Sequence, residues 1–152
     1  MLNISQKKEL VEKVAQRLAD AEITVVVDYM GLDVAKMTEL RSKLREAGVQ
    51  IEVVKNTILS LASKGTDAEL LDDFYKGPSA IVTSSDDPVS PAKILVDFAK
   101  DNEKMEIKAA TLSGQVLNLK QIEQLAKMPS KEELLTKLVY TLNAVPTSLV
   151  NV

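Results

Sequence analysis

The chain has 152 residues, enough for one ordinary domain with its own core, and its 45% hydrophobic and 27% charged content is that of a globular protein. It contains no cysteine and no histidine, which excludes disulfides, thiolate metal sites and cysteine nucleophiles and removes the commonest general base. Aromatic residues make up 3% and the net charge is −3, so neither aromatic stacking platforms nor a bulk positive field can carry nucleic-acid binding.

The charge is unevenly spread. Residues 1–65 carry ten Lys or Arg against nine Asp or Glu, whereas residues 66–112 carry five against ten. Any surface for a polyanion is therefore expected in the first 65 residues, as a local patch. The N-terminus, Met1 to Lys8, has no apolar core followed by a cleavage site, and no apolar run is long enough to span a bilayer. A soluble, cytoplasmic protein with no membrane partner is expected.

In chain order, Leu10, Val11, Val14 and Leu18 recur at helical spacing and predict a helix over about residues 5–20, with Lys7, Lys8, Lys13 and Arg17 outside its apolar stripe. Ile23 to Tyr29 is a β-branched run that reads as a strand buried on both faces. Gly31 supplies a turn or a close approach. Asp33 is expected to cap a helix with core residues Val34, Met37, Leu40 and Leu44, stopped by Gly48. On that helix Arg41 and Arg45 fall together at the border of the stripe, with forked guanidinium groups suited to phosphate, while Lys36 and Lys43 point to solvent. Ion pairing on a neighbouring element is the equal alternative.

Val49, Ile51 and Val53 alternate with Gln50 and Glu52, so this is a half-buried strand running into a helix at Lys55-Asn56-Thr57. Asn56 or Thr57 is expected to cap that helix, and Lys55 beside its free N–H groups would make an anion site. A capped helix with an exposed lysine is the blander account of the same residues. A capping box at Thr66-Asp67-Ala68-Glu69 opens a short helix with Leu70, Leu71 and Phe74 inward. Gly77-Pro78 leads to a strand at Ala80–Thr83, and Ser90-Pro91 opens a helix. Met105, Ile107 and Ala109 alternate along a further strand, and Gly114 turns it into Gln115–Leu117. The rest is helical, with capping boxes at Asn118 and Ser130 and an apolar series Leu134, Leu135, Leu138, Leu142, Val145 and Leu149 in the last helix, which Pro146 interrupts. The fold class is α/β, a mixed β-sheet with helices on both faces followed by a C-terminal helical extension. The expected division is residues 1–130 as the α/β domain and 131–152 as the start of the extension.

The ordered set "ELRSKLREAGVQIEVVKNTIL" from Glu39, "GPSAIV" from Gly77 and "DDPVSPAKILVDFAK" from Asp86 resembles the family of the bacterial large-subunit ribosomal protein ten (L-ten), the base of the ribosomal stalk, over nearly the whole chain. The resemblance implies a non-enzymatic scaffold without cofactor. Large-subunit ribosomal RNA would meet Lys7, Lys8, Gly31, Arg41, Arg45, Lys55, Asn56 and Thr57. Dimers of the acidic stalk protein (L-seven/L-twelve) would dock on the C-terminal helix through Leu134, Leu135, Leu138, Leu142, Val145 and Leu149. Ribosomal protein L-eleven would be a neighbour, at the centre that engages translational GTPases. The chain departs from the family at three places. Met30 stands where an arginine is usual, Ser60-Leu61 where a pair of arginines is common, and Ala109-Ala110 where glycines are frequent.

Two other functions compete. A small α/β enzyme or nucleotide-binding domain has the fold in its favour, but there is no Gly-x-Gly-x-x-Gly and no Walker loop. Asp28, Asp86 and Asp87 could hold magnesium, though turn and cap chemistry explains them better. A pure protein-docking module would use the last helix alone.

Overall fold

The computed structural model describes residues 4–150, except the side chains of residues 147 and 148. The elements run α1 (Ile4–Asp20), β1 (Ile23–Asp28), α2 (Val34–Glu46), β2 (Gln50–Val53), α3 (Asn56–Ala62), a 3-10 helix (Asp67–Phe74), β3 (Ala80–Ser84), α4 (Val89–Asp101), β4 (Glu106–Leu112), β5 (Gln115–Leu117), α5 (Leu119–Lys127) and α6 (Lys131–Val150).

The sheet order is β2-β3-β1-β4-β5, and every pairing is antiparallel. The α/β class stands, but the mixed sheet is corrected. Alternating strands and helices do give co-directional strands, β1 with β2 and β3 with β4. Each pair, however, holds a strand of the other pair between its members, so neighbours oppose. The result is two interlocked split β-α-β units, crossed by α2 and α4.

Ile23, Val25, Val27, Ala80, Val82, Ile107 and Ala110 face α2, α4 and α5, and Val26, Ile81 and Ala109 face α1, α3 and the 3-10 helix. Both faces are covered, which is why β1 is buried along nearly its whole length. Ala109 pairs with Val26 and Ile107 with Val27, so Lys108 bulges out between them. The bulge breaks the expected alternation and puts Ile107 and Ala109 on opposite faces.

Local chemistry explains most boundaries. α2 ends in a Schellman arrangement: Gly48 adopts φ +72°, its N–H donates to the Arg45 carbonyl, and the Val49 N–H donates to the Leu44 carbonyl at 2.8 Å. Asn118 and Gln121 form the expected capping box of α5. Ser113 and Gly114, both at positive φ, make the tight β4–β5 turn. Asp33 and Thr66 occupy cap positions without a side-chain cap bond. Asp87 caps α4, accepting from the Val89 N–H at 2.9 Å and the Ser90 hydroxyl at 2.6 Å. Val34 and Leu70, expected in the core, are 85% and 52% exposed.

α6 runs through Pro146 to Val150, so the proline does not end it. No residue from 131 to 146 is buried. The last two residues of the expected extension, Asn151 and Val152, lie outside the described residues.

Candidate nucleic-acid interface

Strand β2 is an edge strand, so one row of its backbone N–H and C=O groups has no strand beside it. A groove of about 770 Å³ runs along that edge, from Gly48 to Val54. α1 supplies Leu10, Val14 and Arg17 from one face of the sheet, and α2 supplies Arg41 and Arg45 from the other. The helix spacing that put Arg41 and Arg45 at the stripe border also explains their place here. They flank the buried residues Leu40 and Leu44, so their stems start at the protein surface, and both line the groove along the edge. Neither pairs with a carboxylate among the described residues.

Arg17 was missed as a site residue because the helical wheel puts it outside the apolar stripe. It lines the groove and forms an ion pair with Glu52 of β2. The signal lay in the spacing Lys7, Leu10, Val14, Arg17, which runs down one side of α1. Lys7 continues that line one turn beyond Leu10. Lys8 is a hundred degrees further round and exposed.

Strand register brings a second group of residues to one end of the sheet. Val53 and Val27 pair with Ala80, and Asp28 pairs with Glu106, so the chain leaving β1 and β2 and the chain arriving at β3 and β4 share one rim. Gly31, Lys55, Asn56, Lys76, Gly77 and Lys104 therefore belong to this rim. Lys76 and Lys104 lie beyond residue 65, so the basic surface is not confined to the first 65 residues. Gly31 adopts φ +88°, and a Cβ there would sit 3.2 Å from Cδ of Lys104.

The expected cap of α3 is corrected. Lys55 is the N-cap residue, with extended backbone and no side-chain cap bond, and Asn56 and Thr57 are already helical. Asn56 instead donates its side-chain amide to the Gly77 carbonyl at 2.8 Å. With seven residues, α3 is about two turns long. Thr57 is exposed, and no side-chain bond is seen for it among the described residues. Lys43 is exposed, as expected, and lies beside α4, bonded to Glu39 at 2.7 Å and 5.7 Å from the Phe98 ring centre. The bond to Glu39 holds its ammonium pKa above the ordinary value.

Two of the three carboxylates considered for magnesium are otherwise engaged. Asp28 accepts from the Met30 N–H at 2.9 Å and faces Lys108 at 3.4 Å, and Asp87 caps α4. Among the described residues no group of three or more His, Cys, Asp or Glu could hold a metal. No described helix is long and apolar enough to cross a membrane.

On α6, Leu135, Leu138, Val139, Leu142, Val145 and Leu149 are each more than half exposed, and Leu134 is 43% exposed. α6 is thus not packed on the α/β body as a core helix would be.

A covered α/β body with a basic edge and a helix whose apolar residues are exposed has the features of an assembly component. The family model for ribosomal protein L10 matches residues 2–100. The large ribosomal subunit protein uL10 of Syntrophotalea carbinolica is 46% identical over 146 residues, 96% of this chain and 85% of that one. Its counterpart in Maridesulfovibrio salexigens is 43% identical over 150 residues, 99% and 87% of the two chains. That of Staphylococcus aureus (strain JH9) is 44% identical over 141 residues, 93% and 85%. The chain belongs to the ribosomal protein L10 family: it is a non-enzymatic protein of the large ribosomal subunit.

Proposed function

We propose that the chain binds large-subunit ribosomal RNA through the β2 edge and the adjoining rim, and anchors dimers of the acidic stalk protein (L-seven/L-twelve) along α6. The observation that carries the RNA reading is the pair Arg41 and Arg45, which line the groove at the edge strand and pair with no carboxylate among the described residues. With Lys7, Lys8 and Lys55 they neutralise phosphates, and the backbone near Gly31 and Asn56 meets a folded RNA surface by shape. A local cluster of fixed cations binds a polyanion although the whole molecule is acidic, because screening limits distant charges to about 8 Å at physiological salt.

The exposed leucines of α6 form the apolar face that a partner helix covers. The same reading has the protein on the ribosome, in the cytoplasm, beside ribosomal protein L-eleven at the centre that engages translational GTPases. The test is a chain ending at Ser130. It retains affinity for a fragment of that RNA and no longer co-purifies the acidic stalk protein. Loss of RNA binding together with α6 overturns the assignment of the two surfaces.

A further inference from the structure

Lys108 stands on the β4 bulge, and its side chain is 19% exposed. Its ammonium donates to the Lys76 carbonyl at 2.5 Å and the Ser79 hydroxyl at 3.4 Å, and forms an ion pair with the Asp28 carboxylate at 3.4 Å. These three partners lie on two segments that meet only at the rim. Asp28 ends β1 and, through its other oxygen, holds the Met30 N–H in the turn to Gly31. Lys76 and Ser79 bracket Gly77, whose carbonyl accepts from both Asn56 and Ser79. A cation that donates twice within the protein and pairs with a carboxylate is poorly placed to meet a phosphate. It is well placed to fix the turn carrying Gly31 and, through Gly77, the start of α3.

We propose that Lys108 is a positioning residue of the RNA interface: its ammonium locks the Lys76–Ser79 loop to the end of β1 and so sets Gly31, Lys55 and Asn56 in register for the RNA. The proposal rests on the rim being an RNA surface. The bulge is what makes it possible. In regular pairing Lys108 would lie opposite a β1 residue; as the extra residue of β4 it turns to the loop instead.

The experiment compares the full-length chain with Lys108→Met and Lys55→Ala for binding to a large-subunit ribosomal RNA fragment over a series of salt concentrations. Thermal melts and amide exchange are followed on the same samples. Lys108→Met keeps the apolar stem and loses the ammonium. It is expected to bind about fivefold more weakly, with the salt slope of the wild type, an unchanged melting midpoint and faster exchange at Gly77 and Ser79. Lys55→Ala is expected to lower the slope by about 0.7–0.9. If Lys108→Met lowers the slope by the same amount, Lys108 touches phosphate and the proposal is overturned. It is also overturned if Lys108→Met binds as wild type while Lys55→Ala does not. If neither variant weakens binding, it is the RNA reading of the rim that fails, and this proposal with it. Should Lys108→Met melt early, Lys108→Gln takes its place, with a polar end too short to span the same acceptors.

Discussion

Arg17 of α1 and Glu52 of β2 form an ion pair in the groove that also holds Arg41 and Arg45. Both partners are nearly half exposed, so the pair contributes at most about 1 kcal/mol to stability. Its larger effect is electrostatic: it cancels one of the groove's three guanidinium charges. Glu52→Gln should therefore raise affinity for the ribosomal RNA fragment and steepen its salt dependence by up to about 0.9, with a urea midpoint close to wild type. A filter-binding series at several salt concentrations, beside a urea titration, checks both.

Gly31 is constrained twice, by its positive φ and by the Lys104 stem beside it. Gly31→Ala is expected to lose about 1–2 kcal/mol of stability from the left-handed backbone, since the lysine stem can shift but the turn cannot. Urea denaturation measures this directly. The same variant should weaken RNA binding without changing the salt slope, because no charge is removed.

Tyr75 is buried under the 3-10 helix and donates its hydroxyl to the Ala68 carbonyl at 3.0 Å. Burial, with Asp72 adding to it, pushes its pKa up to about 12. The unfolded chain ionises this phenol near 10, so the folded state holds the proton where the unfolded state has lost it. The stability linked to Tyr75 is complete below pH 10 and is lost as pH rises toward 12. Tyr75→Phe should lose about 1 kcal/mol at neutral pH, from the hydroxyl bond, and show a shallower decline between pH 10 and 12. Urea midpoints for both proteins across that range test it.

The exposure of α6 makes a prediction opposite to that for a core helix. Leu142, 64% exposed, can become aspartate with less than about 0.5 kcal/mol change in stability. Leu142→Asp should nevertheless abolish co-purification of the acidic stalk protein, because a charge then sits in the apolar face. Native mass spectrometry of the mixture reads out the complex, and a thermal melt of the variant alone reads out the fold.

What could be read from the residues was what is local. The α1 stripe, the doubly buried β1, the Gly48 stop and the Asn118 capping box each depend on side chains within a few positions of one another. Strand direction was not local. β3 enters between β1 and β2 only after α3 and the 3-10 helix have intervened, and nothing in the β1-α2-β2 segment announces it. The same distance hid the Asn56 bond, whose acceptor lies 21 residues on. It also hid Arg17, which joins the site only because α1 and α2 approach one strand edge from opposite faces. The bulge at Lys108 was equally hidden, because a one-residue bulge is set by its partner strand.

The central claim is that cations fixed at the β2 edge and rim grip ribosomal RNA. Its most direct test is the affinity of the double variant Arg41→Ala, Lys55→Ala for the RNA fragment, measured against salt concentration. Two lost phosphate contacts should weaken binding and reduce the salt slope by about 1.4–1.8 relative to wild type. An unchanged affinity with an unchanged slope would contradict the account.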